Sequence, residues 1–173
     1  MVRIGILTIS DRASRGEYAD LSGPAIRAWL ERAIVSPWSA VAKTIPDGFE
    51  SVRGTLVDLC DRDRLDLVLT TGGTGPALRD ERPEAMRSVI DKELPGFGEA
   101  MRRASFEAVP TAILSRQSAG TRGSTLIINL PGKPSSIDLC LNTVFGAVPY
   151  CLDLIGAGRI ETDPAFIGAF RPQ

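Results

Sequence analysis

The sequence predicts an α/β fold: a single-domain three-layer arrangement in which a mostly parallel sheet is covered by helices on both faces. Three observations predict it. Apolar, β-branched runs alternate along the chain with segments whose apolar residues recur at helical spacing, the pattern of βαβ units. The strand-like runs are nearly continuous in apolar residues, as strands buried on both faces are. And 173 residues, 43% hydrophobic and 24% charged, suit one core of ordinary globular composition at roughly 150 residues per domain. One domain over residues 1–173 is therefore expected.

In chain order, Val2 to Ile9 is an apolar run broken mainly by Arg3 and Gly5, the first buried strand. Gly23-Pro24 opens a helix with Ile26, Leu30 and Ala33 on one face and Arg27, Glu31 and Arg32 on the other. Trp38 to Ile45 reads as a second strand, ended by Pro46. From Phe49 to Arg62, Val52, Leu56, Leu59 and Cys60 return at helical spacing, and Leu65 to Thr71 is a third buried strand. Arg82 to about Glu107 reads as a helix interrupted at Pro95-Gly96, and Arg116 to Ser124 as a loop. Thr125 to Leu130 is a further strand, followed by a helix from Ser135 to about Leu154. The tail from Gly156 to Gln173, with Pro164 and Pro172, is expected to cross the surface.

Composition excludes several functions. Lys plus Arg is 20 against 21 for Asp plus Glu, a net charge of −1, so no whole-chain field draws the protein to nucleic acid or an anionic membrane. Histidine is absent, which removes Ser-His-Asp and Cys-His catalysis and the usual His-containing zinc sites. Cys60, Cys140 and Cys151 match no paired spacing and sit among apolar neighbours, as buried reduced thiols do. The amino-terminal apolar run is too short to span a bilayer and lacks a signal-peptide pattern; a soluble cytoplasmic protein is expected.

In a parallel sheet covered on both faces, ligands bind at the carboxyl ends of the strands, and four strand exits carry unusual residues. Thr71-Gly72-Gly73-Thr74-Gly75-Pro76 places three glycines within four residues directly after a buried strand. Such a loop lets backbone N–H groups converge on an anion; a tight structural turn is the alternative. It matches neither a P-loop nor the GxGxxG fingerprint. Asp80 closes this loop and Asp47 closes the preceding strand. Two carboxylates beside phosphates are the ordinary way to hold Mg²⁺, so together they suggest phosphoryl or nucleotidyl transfer, although each alone also reads as a cap or turn residue. Ser10 and Asp11 add a hydroxyl and a carboxylate at the same rim, or cap a helix. Pro131-Gly132-Lys133-Pro134 offers a cation and helix-start amides to an anionic ligand, or is a strand-to-helix corner. Arg79 and Arg82 flank the glycine loop, either to screen phosphates or to pair with Glu81 and Glu84.

At these residues the sequence resembles the Mog-type molybdopterin adenylyltransferase family of molybdenum cofactor biosynthesis. The resemblance runs through Ser10-Asp11-Arg12-Ala13-Ser14 with Tyr18, Asp20, Gly23 and Pro24; Ile45-Pro46-Asp47; and Thr70 to Pro76 with Arg79-Asp80. It continues through Pro95-Gly96-Phe97-Gly98-Glu99, Ala112 to Arg116, Asn129-Leu130-Pro131-Gly132 and the closing Ala169-Phe170-Arg171-Pro172. It implies transfer of AMP from ATP to the terminal phosphate of molybdopterin, with Mg²⁺ as metal, a homotrimer, and delivery to a molybdate-insertion protein. Carried over by position, Asp47 and Asp80 match its essential acidic residues, and Gly72 to Gly75 and Pro131 to Pro134 belong to its substrate-binding rim; Asp47 and Asp80 are both expected as candidate ligands of the metal. Gly48 stands where many relatives carry an acid. The competing expectation is a non-catalytic molybdopterin-binding or scaffold domain; the filled Asp47 and Asp80 positions favour the enzyme.

Overall fold

The computed structural model describes residues 1–173 and is built on one six-stranded sheet in the order β2-β1-β3-β6-β5-β4. The strands are β1 (Val2–Ile9), β2 (Trp38–Ile45), β3 (Leu67–Gly72), β4 (Lys92–Glu93), β5 (Ala119–Arg122) and β6 (Thr125–Pro131). β2, β1, β3 and β6 run parallel, while β5 pairs antiparallel with β6 and β4 antiparallel with β5. The helices are α1 (Asp11–Ser14), α2 (Ser22–Ala33), α3 (Phe49–Val57), α4 (Arg82–Arg87), α5 (Pro95–Phe106), α6 (Pro134–Val144) and α7 (Val148–Leu154). α3 continues as a π-helical turn over Asp58–Arg62.

The alternation of side chains along each central strand feeds two separate cores. Ile4 and Ile6, Leu67 and Leu69, and Leu126 and Ile128 point to the face covered by α2, α5, α6 and α7. Leu7, Val68 and Ile127 point to the other face, against Val52 and Leu56 of α3 and Ala85 and Met86 of α4. That is the three-layer α/β arrangement the sequence predicts. Taken as one stretch, Pro134–Leu154 is long and apolar enough to cross a bilayer, but it spends its apolar face on the core through Ile137, Leu141, Phe145 and Leu152.

Three expectations are corrected. The segment Arg116 to Ser124 is no simple loop, because Ala119–Arg122 forms β5. A two-residue turn at Gly123-Ser124, with Gly123 at φ +52°, folds β5 back onto β6, pairing Arg122 with Thr125. Pro95-Gly96 opens α5 instead of interrupting a helix, since Pro at the first turn loses no intrahelical bond; the chain before it leaves α4 at Arg87 and forms β4. The helix after β6 breaks into α6 and α7 through a 3₁₀ turn at Phe145–Ala147, ahead of Pro149, which has no N–H to continue the ladder.

The tail does cross the surface. Ile34 bridges Thr162, Phe166 packs at 5.4 Å from the Trp29 ring, the Phe170 amide donates to the Gly146 carbonyl, and Arg171 Nε meets Asp153 Oδ2 at 2.5 Å.

Candidate active site

The order in which strands are added to the sheet reverses between β1 and β3, a switch point where crevices form at the carboxyl ends of parallel strands. Tight backbone approach shapes the exits. Gly72 has φ +146°, and a Cβ there would lie 2.5 Å from the Ile9 carbonyl oxygen. A Cβ on Gly132 would lie 3.0 Å from the Gly72 carbonyl oxygen. Glycine is required at the first position by both angle and space.

These exits open into a crevice of about 420 Å³. Its walls include Ser10, Asp11, Asp47, Gly72, Gly73, Asp80 and Gly132, so one crevice gathers residues from the ends of β1, β2, β3 and β6. Ser10 caps α1, its hydroxyl accepting from the Ala13 amide. Asp11 and Asp47 clasp each other: the Asp11 amide donates to Asp47 Oδ2 at 3.1 Å, and the Asp47 amide donates to Asp11 Oδ1 at 3.0 Å. Asp80 lies over the glycine loop, where a Cβ on Gly73 would fall 2.3 Å from its Oδ1 and one on Gly75 3.1 Å from its Oδ2. Neither oxygen of Asp80 accepts a hydrogen bond from the protein.

The other expected residues stand behind or beside this crevice. Thr71 is buried, its hydroxyl donating to the Pro131 carbonyl at 2.8 Å, so both support the floor without lining it. Thr74 and Gly75 face their carbonyls toward Arg116. Lys133 and Pro134 begin α6 outside the crevice wall, as a strand-to-helix corner. Arg15 and Glu17, which no motif in the sequence points to, also line the crevice, with Arg12, Tyr18 and Arg79. Arg15 donates to Glu17 at 2.6 Å, which raises the guanidinium pKa and lowers that of the carboxyl. No apolar period or glycine motif marks that segment; only its density of charge between Arg12 and Tyr18 is visible in the sequence.

Arg82 departs from both of its expected roles. It pairs with neither Glu81 nor Glu84 and is 3% exposed, wedged between β3 and β6. Its Nη1 donates to Thr70 Oγ1 at 3.1 Å and its Nη2 to the Leu130 carbonyl at 2.9 Å, while Nε has no partner. Burial pushes its pKa down to about 9, against the attraction of Asp80 and Asp47. A buried cation thus sits beneath the two carboxylates.

Electrostatically the crevice has an acidic floor of Asp11, Asp47 and Asp80 and a rim carrying Arg12, Arg15 and Arg79. No three acidic or thiol side chains converge as a metal cage. Asp47 Oδ1 and both oxygens of Asp80 remain for hard-cation chemistry, which fits Mg²⁺ held by two carboxylates and completed by phosphate and water, and does not fit an all-protein site. The amides of Thr74 and Gly75 have no acceptor within the protein. An arrangement of loop amides, paired carboxylates and rim guanidiniums can hold a polyphosphate and stabilise charge that develops on it.

Comparison with known proteins agrees with this chemistry. Residues 5–150 match the model of a family described as a probable molybdopterin binding domain. The chain is 52% identical over 172 residues to a molybdopterin adenylyltransferase of Helicobacter pylori, covering 99% of this chain and 98% of that one. It is 45% identical over 184 residues to a molybdopterin adenylyltransferase of Escherichia coli, covering 99% and 94%. Among solved structures, the molybdopterin biosynthesis enzyme MoaB of Thermus thermophilus superposes with a TM-score of 0.83 at 42% identity, over 93% of this chain and 100% of that one.

Proposed function

The chain belongs to this family of molybdopterin-binding domains, and on that premise we propose that it adenylylates molybdopterin in molybdenum cofactor biosynthesis. The relatives that share its full length at 45–52% identity bear the name of that activity. In the reaction a terminal phosphate oxygen of molybdopterin bonds to the α-phosphorus of ATP, and the bond to the bridging oxygen breaks, releasing pyrophosphate. The attacking oxygen is already anionic near neutral pH, so no imidazole base is needed. A protein without histidine loses nothing here.

What carries the site assignment is the meeting of Asp47, Asp80 and the glycine loop in one crevice. Asp47 and Asp80 are the residues to hold Mg²⁺, which when bound would neutralise phosphate charge and orient the two substrates. The amides of the Gly72 to Gly75 loop and the rim arginines bind phosphate oxygens. Asp11 fixes Asp47 through its backbone clasp. This reading takes the chain as one Mog-type domain over residues 1–173, acting in the cytoplasm and handing its product to a molybdate-insertion protein. The exposed apolar side chains Phe106, Val109, Ile113 and Leu114 support a contact with further copies, and the family resemblance makes that assembly a homotrimer.

The test combines purified protein, molybdopterin, ATP and Mg²⁺ and follows pyrophosphate release. Asp80→Asn is expected to lower turnover at least a hundredfold while retaining molybdopterin binding and the native circular dichroism spectrum. Unchanged adenylyl transfer in that variant would sink the assignment.

A further inference from the structure

The loop from Gly73 to Glu81 that carries Asp80 is irregular, with few bonds of its own: the Asp80 amide to the Ala77 carbonyl and the Glu81 amide to the Arg79 carbonyl. Glu81 Oε2 accepts from the Phe49 amide at 3.0 Å, and the other ties converge on one residue 36 positions beyond Asp80. The Arg116 amide donates to the Thr74 carbonyl at 2.7 Å. Its guanidinium then divides among three partners: Nε donates to the Gly75 carbonyl at 3.0 Å, Nη2 to the Asp80 carbonyl at 2.5 Å, and Nη1 pairs with the Glu84 carboxylate on α4. One half-buried side chain therefore ties both ends of the loop together and anchors them to a helix.

Resting on the adenylyl-transfer reading above, we propose that Arg116 is a positioning residue for this reaction, acting through Asp80. By holding the Asp80 backbone against Thr74 and Gly75, it sets the carboxylate over Gly73 and aims it into the crevice that Asp47 lines. Two features make arginine specific to the task. The planar fork supplies donors in three directions at once, and its charge offsets Glu84; a lysine supplies charge from a single point and cannot bridge two carbonyls and a carboxylate. Arg116 touches neither carboxylate oxygen of Asp80, so its effect falls on geometry.

The experiment compares the parent with Arg116→Lys and Glu84→Gln. It measures kcat and KM for molybdopterin by pyrophosphate release, and amide hydrogen exchange across the chain. For Arg116→Lys the expected result is a fall in kcat of at least tenfold, KM within twofold of the parent, and faster exchange confined to the amides of residues 80, 81 and 116, the ones bonded within or to this loop. Glu84→Gln, which removes one end of the clamp, should lower kcat about threefold with the same local exchange signature; it decides the matter if Arg116→Lys does not fold. Parent-like kcat, a loss carried by KM alone, or exchange that rises across β3 and β6 as well would overturn the proposal. A parent protein that releases no pyrophosphate would instead defeat the functional reading, and the exchange measurement would still judge the clamp.

Discussion

Replacing Arg82 with Met should make the protein more stable and less active. The guanidinium is buried between β3 and β6, and burial pushes its pKa several units down, to about 9. At about 1.4 kcal/mol per unit, that shift corresponds to a cost on the order of 5 kcal/mol for keeping the cation in the folded protein. Two hydrogen bonds, to Thr70 Oγ1 and the Leu130 carbonyl, offset about 1 kcal/mol each, and an orphaned Leu130 carbonyl in the variant costs about 1–2 kcal/mol. A net gain of about 1–2 kcal/mol remains for an apolar side chain of similar length, in keeping with other buried charges. For a chain of this size that is a rise in Tm of roughly 3–6 °C.

The assay is thermal and urea unfolding at pH 7 and again at higher pH. Below about 9 the guanidinium is protonated in both folded and unfolded chains, so the penalty is fully present. As pH rises through about 9 the folded protein can release the proton that the unfolded chain keeps to far higher pH, and stability from this group increases. The advantage of Arg82→Met should therefore be constant from pH 6 to 8 and shrink by pH 10. Its kcat should fall at least tenfold, because the positive charge beneath Asp80 and Asp47 is gone. A lower Tm at pH 7 would refute the account of Arg82 as a costly buried cation.

Two further predictions test the neighbouring geometry. Gly73→Ala should reduce kcat at least tenfold with a small change in Tm, because its Cβ would fall 2.3 Å from Asp80 Oδ1 and displace the carboxylate; parent-like turnover would contradict that contact. Burial raises the pKa of all three thiols, that of Cys60 to about 11, so at pH 7.5 a disulfide reagent should titrate less than one thiol in the native state and three after unfolding. Rapid reaction of Cys60 or Cys140 in the native protein would show that their burial is overstated.

Much of the fold is legible in the sequence where burial is two-sided. β1, β3 and β6 are dense in Ile, Leu and Val because side chains leave both faces of the sheet into separate cores, and their exits therefore mark the site as well. β5 is illegible by the same logic: Ala-Gly-Thr-Arg offers no apolar run, since Gly120 passes within reach of Ile90 and the Lys92 carbonyl, where a Cβ would approach to 2.8 Å. Its trace in the sequence is Gly123-Ser124 ahead of an apolar strand, a turn signal that pairs strands. In the site, Asp47, Asp80 and the glycine loop follow from their places at strand ends. The burial of Arg82 does not, because its carbonyl partner Leu130 lies 48 residues away and the flanking acids suggest a surface pair. Lys133 does not line the crevice for a simpler reason: it stands at the N-cap where the chain turns into α6.

The clasp between Asp11 and Asp47 bears on how mutational data for this protein should be interpreted. Each carboxylate holds the other residue's amide, across 36 positions of sequence, so removing either one also loosens the backbone under the other. The two positions are expected to show epistasis: the double substitution should cost less than the product of the single effects, because the first has already undone part of what the second would. A loss of activity on altering Asp11 is then no sign that Asp11 meets the substrate. In this crevice the boundary between what builds the site and what is open to a ligand runs through individual side chains, with one carboxylate oxygen of Asp47 committed to the fold and the other without a partner in the protein.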